Sequence, residues 1–342
     1  MQYATSNQKL KLISMIDLLK KYSDEEHPLS APELIKLLKA RGINCERKYI
    51  YSVIESLIDY GFDINRTYKP KQGFYLGQRE FELAEIKILI DAVASAPFIT
   101  LKKSKELVKK LQSQLSIYQS CAVDRGISLG NKTKVANEEI YYTINNINEA
   151  ICSNRKIKFT YYHTIIKDNR IVSDEGKEFL VSPYALIWSN DRYYLVCNYS
   201  KYNNISHYRV DRIKKVVITD EISRSCSEVS PYKSNEDFDI ADYMKKAFGM
   251  FGGEEESVEL ICDNSLLEVI ADRFGSDIKI QKYSSQQFKV CFSIFMNKTL
   301  ISWLVDNADK VYVKSPAKLR GLVKDKILNI YNAYFKNNIS DL

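Results

Sequence analysis

Near the N-terminus, apolar residues recur every three or four positions in three successive segments, which predicts three amphipathic helices. The first is predicted at Gln8–Tyr22, the second begins at Ser30, and the third runs from about Glu46 to Tyr60. Ser30 and Glu33 have the spacing of a capping box, and Gly42 ends the second helix. Because each helix has one apolar stripe, the three are expected to share a core.

Alternating residues after the third helix predict two short strands, Phe62–Asn65 and Phe74–Leu76. The turn between them is rich in cations. Three helices followed by a basic hairpin are the elements of a winged helix-turn-helix. In that arrangement, the exposed face of the third helix enters the major groove of duplex DNA and the hairpin meets the phosphates. The predicted DNA contacts are Arg47, Lys48, Tyr51 and Ser52 on the helix and Arg66, Lys69 and Lys71 on the hairpin.

A basic helix face can also be a solvated surface, and for an isolated helix that interpretation is the better one. The complete order of three helices and a hairpin favours DNA binding instead. Residues 80–120 are helix-rich, and Pro97 separates two helices with apolar stripes. Those helices are expected to pack against each other or against a second subunit. Asp124–Asn137 is predicted as a loop or linker, and Glu138–Ser153 as a helix that leads into the next domain.

The middle of the chain has the alternation of a β-domain. Turn residues separate the strands, and Ile166–Glu178 is predicted as a polar excursion. A small, strongly bent sheet of the SH3-like or Sm-like barrel kind, with an exposed groove, is expected. The predicted strands are Lys156–Tyr162, Phe179–Trp188, Arg192–Tyr199, Ile205–Val210 and the run to Thr219.

Alternation along Ile205–Val210 indicates which residues line the groove. His207, Arg209 and Asp211 are predicted to point one way, and Tyr208 and Val210 the other. A guanidinium binds phosphate through two parallel hydrogen bonds and stacks on rings. Arg209 is therefore the strongest candidate for a residue that binds an anionic ligand. Two alternatives stay open: Asp211 and Arg212 can form a structural ion pair, and Trp188, Tyr193 and Tyr194 can be core or rim aromatics.

The C-terminal part predicts the order strand, helix, strand, strand, helix, strand, helix, which is that of a ferredoxin-like α+β domain followed by one more helix. The last helix, Ala317–Phe335, has an apolar face suited to docking. Lys314, Lys318 and Arg320 are basic residues that either extend a ligand path or are solvated. The other predicted elements are Ser257–Cys262, Leu266–Phe274, Ile278–Tyr283, Gln287–Phe295, Leu300–Asn307 and Val311–Lys314.

Composition narrows the class of protein. The chain has 342 residues, which is enough for two or three domains, and a net charge of +7, which fits a polyanionic partner. Seven scattered cysteines and three histidines give neither a disulfide framework nor a zinc site. Without a membrane-spanning run or a cleavable leader, the protein is expected to be cytoplasmic. Because no sequence motif of a known catalytic site is present, neither enzymatic activity nor a cofactor is expected.

The stretch Val181–Ile213 resembles the WYL domain of bacterial transcription regulators, through P-Y-A-L, the triplet Tyr193, Tyr194, Leu195, and R-V-D-R-I. That resemblance implies an anionic effector, a nucleotide or single-stranded nucleic acid. The ligand-binding residues that it implies are Tyr161, Ser182, Tyr194, His207, Arg209 and Arg212.

The N-terminal segment is similar to the DeoR-type helix-turn-helix that commonly precedes WYL domains, through S-A-P-E-L, R-K-Y-I-Y and G-F-Y-L. It departs at Ser52 and Val53, where the family often has Arg-Asp, so the preferred DNA sequence does not carry over. The C-terminal domain is similar to the extension that often follows WYL domains, called WCX, mainly in the order of its elements.

We therefore predict a homodimeric DNA-binding transcriptional regulator with an α+β multidomain fold and no membrane contact. A second hypothesis is an RNA-binding or single-strand-binding accessory protein that uses the central barrel as its main surface. The predicted domains are a winged helix-turn-helix at 1–79, a helical connector at 80–137, the WYL sensor at 138–225, a linker at 226–255 and the WCX-like domain at 256–342.

Overall fold

The computed structural model describes residues 2–124, 139–229, 239–275 and 278–336. The chain divides into two compact units, Met1–Ala136 and Asn137–Leu342. Both mix helices with antiparallel sheets. The predicted loop at 124–137 lies, apart from Asp124, outside the described residues, as do the part of the predicted linker at 230–238 and the first residue of the helix predicted from Glu138.

The first unit begins with the predicted three helices and hairpin. Met15, Leu34 and Ile50 are fully buried and belong to the core that these elements share. The elements are α1 (Gln2–Tyr22), α2 (Ala31–Ala40), α3 (Arg47–Asp59), β1 (Ile64–Thr67) and β2 (Gly73–Leu76), and the two strands pair antiparallel.

Two interactions fix the start of α2 and the position of the hairpin. The Glu33 carboxylate accepts hydrogen bonds from the Ser30 backbone N–H at 2.8 Å and from its hydroxyl at 2.7 Å. Leu29 exchanges two backbone hydrogen bonds with Phe74, each 2.8 Å long. This close pairing requires glycine at position 73, because a Cβ there would lie 2.8 Å from the Leu29 carbonyl.

Three connector helices complete the first unit: α4 (Leu83–Ser95), α5 (Leu101–Gln112) and α6 (Ile117–Asp124). Ile86 and Ile90 of α4 share a buried cluster with Val108 of α5 and Val123 of α6. The two predicted stripes therefore pack against each other.

Asp24 fastens the connector to the N-terminal helices. Its buried carboxylate accepts hydrogen bonds from the His27 backbone N–H at 2.9 Å, from the His27 ring at 2.7 Å and from the Ser116 hydroxyl at 2.5 Å. Arg79 adds a second fastening, since its guanidinium donates to the carbonyls of Ser23 at 2.7 Å and Gln114 at 3.1 Å. The start of the connector and its α5–α6 junction are thus tied to the segment that follows α1.

We predict that Asp24→Ala lowers the free energy of unfolding by about 2–3 kcal/mol, because it leaves buried donors without their charged acceptor. Urea denaturation of the full chain measures the change. Asp17→Ala is the matched control, since Asp17 is exposed and pairs with Arg41 at 3.6 Å, so its loss should cost less than about 1 kcal/mol. Equal losses in the two variants would contradict the assignment of Asp24 as a fastening point.

The second unit opens with α7 (Ile140–Cys152), followed by a five-stranded antiparallel sheet and a separate hairpin. The sheet strands are β3 (Arg155–Tyr161), β6 (Lys177–Ser189), β7 (Arg192–Tyr199), β8 (Ile205–Arg209) and β9 (Ile213–Ile222). The hairpin is formed by β4 (Thr164–Lys167) and β5 (Arg170–Ser173).

The predicted barrel is wrong for the part of the chain that the structure describes, because no sheet there closes. The five strands follow the order β8-β7-β6-β3-β9, which leaves β8 and β9 at opposite edges. A single 3-10 turn, Val210–Arg212, leads from one edge to the other, and β9 then pairs with β3 instead of β8. Alternation shows where strands lie but does not show their order, so the sequence did not exclude this open sheet.

The predicted polar excursion at Ile166–Glu178 contains most of the β4–β5 hairpin. Asp168 and Asn169 form its two-residue turn with φ of 50° and 59°, a left-handed conformation that Asp and Asn tolerate well. Ile166 and Ile171 pair across the hairpin, and each is 80% exposed. The strands were missed because their apolar residues face solvent.

The C-terminal part has the predicted order of elements and a four-stranded antiparallel sheet, in which the strands lie side by side in the order Ile280–Lys282, Gln287–Met296, Glu254–Asp263 and Val311–Ser315. Of the residues predicted for the docking face of the last helix, Leu319 is buried, whereas Leu322 and Ile327 are exposed. The elements are α8 (Ile240–Lys246), β10 (Glu254–Asp263), α9 (Leu267–Phe274), β11 (Ile280–Lys282), β12 (Gln287–Met296), α10 (Lys298–Asp306), β13 (Val311–Ser315) and α11 (Ala317–Tyr331).

One buried seam joins the five-stranded sheet to this C-terminal part. Ile187, Val196 and Ile205 of the sheet share a cluster with Tyr243 of α8 and Phe295 of β12. The segment predicted as a linker at 226–255 therefore contributes core residues through α8. Within the seam, the His207 Nε2 and the Tyr243 hydroxyl are joined by a short hydrogen bond. Burial lowers the pKa of His207 to about 4.

We predict that His207 makes the second unit acid-sensitive. The pKa of His207 is about 4 in the folded chain and about 6.5 in the unfolded chain. As the pH falls, the unfolded state therefore binds this proton first. Between about pH 7.5 and pH 5, the free energy of unfolding should fall by about 2 kcal/mol through this residue. His207→Gln keeps a polar partner for Tyr243 and does not titrate, so urea denaturation at both pH values should show a smaller loss in the variant. An equal loss in both proteins would contradict the prediction.

Candidate nucleic-acid interface and sensor site

The predicted reading face of α3 is present as an exposed surface. Arg47, Lys48 and Ser52 are exposed, whereas Tyr51 is half-buried at the edge of the core. The Arg47 guanidinium donates to the Tyr51 hydroxyl at 3.3 Å and lies 5.9 Å from the centre of its ring. Tyr51 thus holds Arg47 against the helix while Lys48 and Ser52 face solvent.

Aromatic contacts connect this face of α3 to the hairpin. The Tyr51 ring lies edge-on to the Phe74 ring, with 5.8 Å between centres. On the hairpin, the Arg66 guanidinium is 6.0 Å from the Phe74 ring and 5.3 Å from the Tyr68 ring. Arg47 and Arg66 therefore flank one pair of packed rings, which connects the exposed cations of the helix to those of the hairpin.

The two hairpin lysines differ in their surroundings. Lys71 forms an ion pair with Glu33 at 2.6 Å. Burial alone would raise the pKa of Glu33, but hydrogen bonds from Lys71 and Ser30 lower it to about 2. Lys69 is exposed, and its backbone N–H and carbonyl are both bonded to the Thr67 hydroxyl. Lys71 therefore has a structural partner, while Lys69 presents its charge to solvent.

The six residues predicted for the sensor site do not form a single set. Ser182 is 2% exposed, and its hydroxyl accepts a hydrogen bond from the Arg224 backbone N–H at 2.9 Å. Tyr161 is 7% exposed, and its hydroxyl accepts from the Arg209 backbone N–H at 3.4 Å. These two side chains hold strands and loops together.

Tyr194, His207 and Arg209 share the face of the sheet that carries the buried seam, because Tyr194 is the cross-strand partner of Arg209 and His207 is two residues before it. Tyr194 is half-buried against the seam, and the His207 ring is bonded to Tyr243. Tyr208 points to the opposite face and contacts Phe159, as the alternation predicted for this strand requires.

Arg209 is held by a carboxylate. Its guanidinium donates to Asp211 at 2.7 and 3.1 Å, and this bidentate pair raises the pKa of Arg209. Arg192 approaches the same carboxylate at 3.6 Å. The possible ion pair between Asp211 and Arg212 is not formed, since the carboxylate faces Arg209 and Arg192 instead. The half-buried Arg212 contributes its carbonyl, which accepts from the Tyr162 backbone N–H at 3.1 Å.

Sequence reasoning left Arg192 out of this site, and it predicted Asp211 on the same side as Arg209 without including it among the ligand-binding residues. The position of Asp211 two residues after Arg209 was the available signal, since a 3-10 turn at that point brings the two side chains together. The two arginines outnumber the one carboxylate, so the cluster keeps a positive charge. An anion can bind there by taking one of the guanidinium contacts from Asp211.

No helix among the described residues is long and apolar enough to cross a membrane. Within the same residues, no group of three or more His, Cys, Asp or Glu side chains has the arrangement of a metal site.

Comparisons with known proteins support the predicted domain in the middle of the chain. A search of curated proteins found no match to the chain. Among solved structures, proteasome accessory factor B/C (PafBC) of Arthrobacter aurescens is similar at 14% identity and a TM-score of 0.29, over 96% of this chain and 49% of that one. This chain therefore spans about half the length of that protein. A CRISPR Cas-related protein is similar at 13% identity and a TM-score of 0.37, over 96% of this chain and 85% of that one.

The family model of the WYL domain matches residues 142–218, which contain most of α7, the five-stranded sheet as far as the middle of β9, and the predicted triplet Tyr193, Tyr194, Leu195. This match confirms that the chain contains a WYL domain.

Proposed function

We propose that this protein is a DNA-binding transcriptional regulator. Its first unit binds duplex DNA as a winged helix-turn-helix of the DeoR type, and its WYL domain senses an anionic nucleotide or nucleic-acid effector. The protein acts in the cytoplasm as a homodimer that reads two half-sites, and it has no catalytic role.

The observation that carries this proposal is the series of contacts that runs from the exposed Arg47 through Tyr51 and the buried Phe74 to the exposed Arg66. A helix with exposed cations fits the major groove, and a hairpin beside it reaches the adjacent phosphates. Tyr51 and Phe74 fix the distance between the two cations, so both can contact one duplex. Lys48 and Lys69 add further exposed cations on the helix and the hairpin, whereas Lys71 would first have to leave Glu33.

For the effector, support comes from the cluster of Arg192, Arg209 and Asp211. A phosphate that binds the Arg209 guanidinium replaces Asp211 as its partner, and the carboxylate then has Arg192 within reach. Regulation requires that the effector binds one arrangement of the protein more tightly than another, because equal binding to both shifts nothing. When Asp211 exchanges Arg209 for Arg192, the bound and unbound arrangements of the site differ locally in this way.

We predict that Arg47→Ala combined with Lys48→Ala weakens duplex binding and leaves the fold unchanged, because both side chains are exposed. The slope of log affinity against log salt concentration should decrease by about 1–2, because each missing cation leaves one phosphate with its counterion. Titrations in gel-shift assays over a range of salt concentrations measure this slope. The duplexes are those recovered by sequencing the DNA that the purified full chain retains.

Lys109→Ala combined with Lys110→Ala is the matched control for this experiment. It removes the same two charges from exposed positions on α5. If the control loses as much affinity as the α3 variant, only net charge matters and the proposed interface is wrong.

We predict that Arg209→Ala abolishes the effect of added nucleotides and short oligonucleotides on duplex affinity, while affinity in their absence is unchanged. Arg209→Lys should restore little of the effect, since an ammonium lacks the two parallel donors. Arg170→Ala, in the β4–β5 hairpin, is the control for charge. A normal response in Arg209→Ala would show that the effector binds elsewhere.

A further inference from the structure

A row of aromatic rings runs across one face of the WYL sheet from its core to solvent. It starts at Phe159, which is 1% exposed, and ends at Tyr202, which is 58% exposed. Successive ring centres are 5.0–5.8 Å apart, from Phe159 through Tyr208, Phe179 and Tyr199 to Tyr202. This face is the one opposite His207 and Arg209, because Tyr208 lies between them in β8.

Two lysines border the solvent end of the row. The Lys177 ammonium lies 5.7 Å from the centre of the Phe179 ring, and the Lys201 ammonium lies 5.8 Å from the centre of the Tyr199 ring. Both lysines are exposed. The neighbouring Glu178 projects from the other face of β6, where it pairs with Lys158 at 2.9 Å. We call Phe179, Tyr199, Tyr202 and Tyr208, together with Lys177 and Lys201, the tyrosine platform.

The loop that carries Lys201 and Tyr202 is held in place by a buried side chain of β7. Asn198 is 1% exposed, and its amide donates to the carbonyls of Tyr202 at 2.8 Å and Asn204 at 2.9 Å. The Tyr202 backbone N–H in turn donates to the Tyr199 carbonyl at 2.9 Å. All three bonds use the backbone of the loop, so the Tyr202 ring is positioned without contributing to them.

Core packing accounts for the buried end of the row but not for its exposed end. Phe159 and Tyr161 are buried and fill the sheet face beneath Tyr208. Tyr202 adds little to that core, since more than half of its surface is open to water. An exposed ring on a loop fixed in advance, next to half-buried rings that carry cations, is the kind of surface with which proteins bind the bases and phosphates of a single strand.

We propose that the tyrosine platform binds unpaired bases of a single-stranded nucleic acid. One base stacks on Tyr202, the next contacts Tyr199 and Phe179, and Lys177 and Lys201 meet the phosphates between them. This inference rests on the proposed function for the chemical class of the effector, and it adds a second contact surface on the sheet face opposite Arg209. A strand that bridges the two faces would wrap around the β8 edge of the sheet.

The test uses the full chain and a fluorescent thymidine oligonucleotide of about ten nucleotides, with binding followed by anisotropy at fixed salt. Tyr202→Ala should weaken binding about tenfold or more, as loss of one stacked base requires. Tyr202→Phe keeps the ring and should bind as the wild type does. Tyr142→Ala is the matched control, because Tyr142 is 74% exposed on α7 and lies outside the row.

The contributions of the lysines and of the oligonucleotide bases to binding are tested in separate experiments. Lys201→Ala should weaken binding several-fold and lower its salt dependence, whereas Lys167→Ala, in the β4–β5 hairpin, should not. An abasic oligonucleotide of the same length should bind the wild type weakly and should not distinguish it from Tyr202→Ala. Equal affinity of wild type and Tyr202→Ala for the thymidine oligonucleotide overturns the platform, and so does equal loss in Tyr142→Ala.

The outcomes also distinguish the platform from the proposed function. If Tyr202→Ala binds normally while Arg209→Ala loses its response, the platform is wrong and the proposed effector site stands. If the wild type binds no oligonucleotide, the platform is wrong, and duplex binding by α3 is judged from the Arg47 and Lys48 variant alone. Loss of oligonucleotide binding in Tyr202→Ala, with normal duplex binding, supports both.

Discussion

Alternation of side chains along β8 is the constraint on which the second unit depends. Ile205 and His207 turn toward the seam with Tyr243 and Phe295, while Tyr208 turns toward the aromatic row on the other side. One strand at the sheet edge therefore joins the sheet to the C-terminal part and completes the core of the WYL domain. Shifting this strand by one residue would exchange the two faces and disrupt the packing on both of them.

Where β8 ends, the same constraint defines the candidate sensor site. The 3-10 turn Val210–Arg212 buries Val210 and brings Asp211 back toward Arg209. Because a guanidinium that is already paired with a carboxylate is partly neutralised, Arg209 attracts anions less strongly than an unpaired arginine would. The site is consequently suited to exchange of one anionic partner for another, and the platform lysines are suited to first contact with a strand.

Sequence periodicity predicted the elements well wherever one face of the element is buried. The three N-terminal helices, the hairpin at β1–β2 and the C-terminal order follow from apolar stripes and turn residues, and the WYL match covers the segment that carries the triplet. The open sheet was not predictable, because alternation is the same whichever strands become neighbours. The roles of Ser182 and Tyr161 were also beyond reach, since their partners, Arg224 and Arg209, lie 42 and 48 residues away in sequence.

The contrast between Lys71 and Lys69 shows why the number of basic residues in a sequence overestimates how many of them are available to bind an anion. Both lysines belong to the same basic hairpin, but Lys71 has a carboxylate at 2.6 Å, whereas Lys69 is exposed and is held through its backbone by the Thr67 hydroxyl. A phosphate gains less from Lys71, because the ion pair with Glu33 must break, and Glu33 also caps α2 through Ser30. Contact of DNA with Lys71 would therefore also affect the capping interactions at the start of α2. In the proposed function, the electrostatic attraction for DNA would therefore fall mainly to Arg47, Lys48, Arg66 and Lys69.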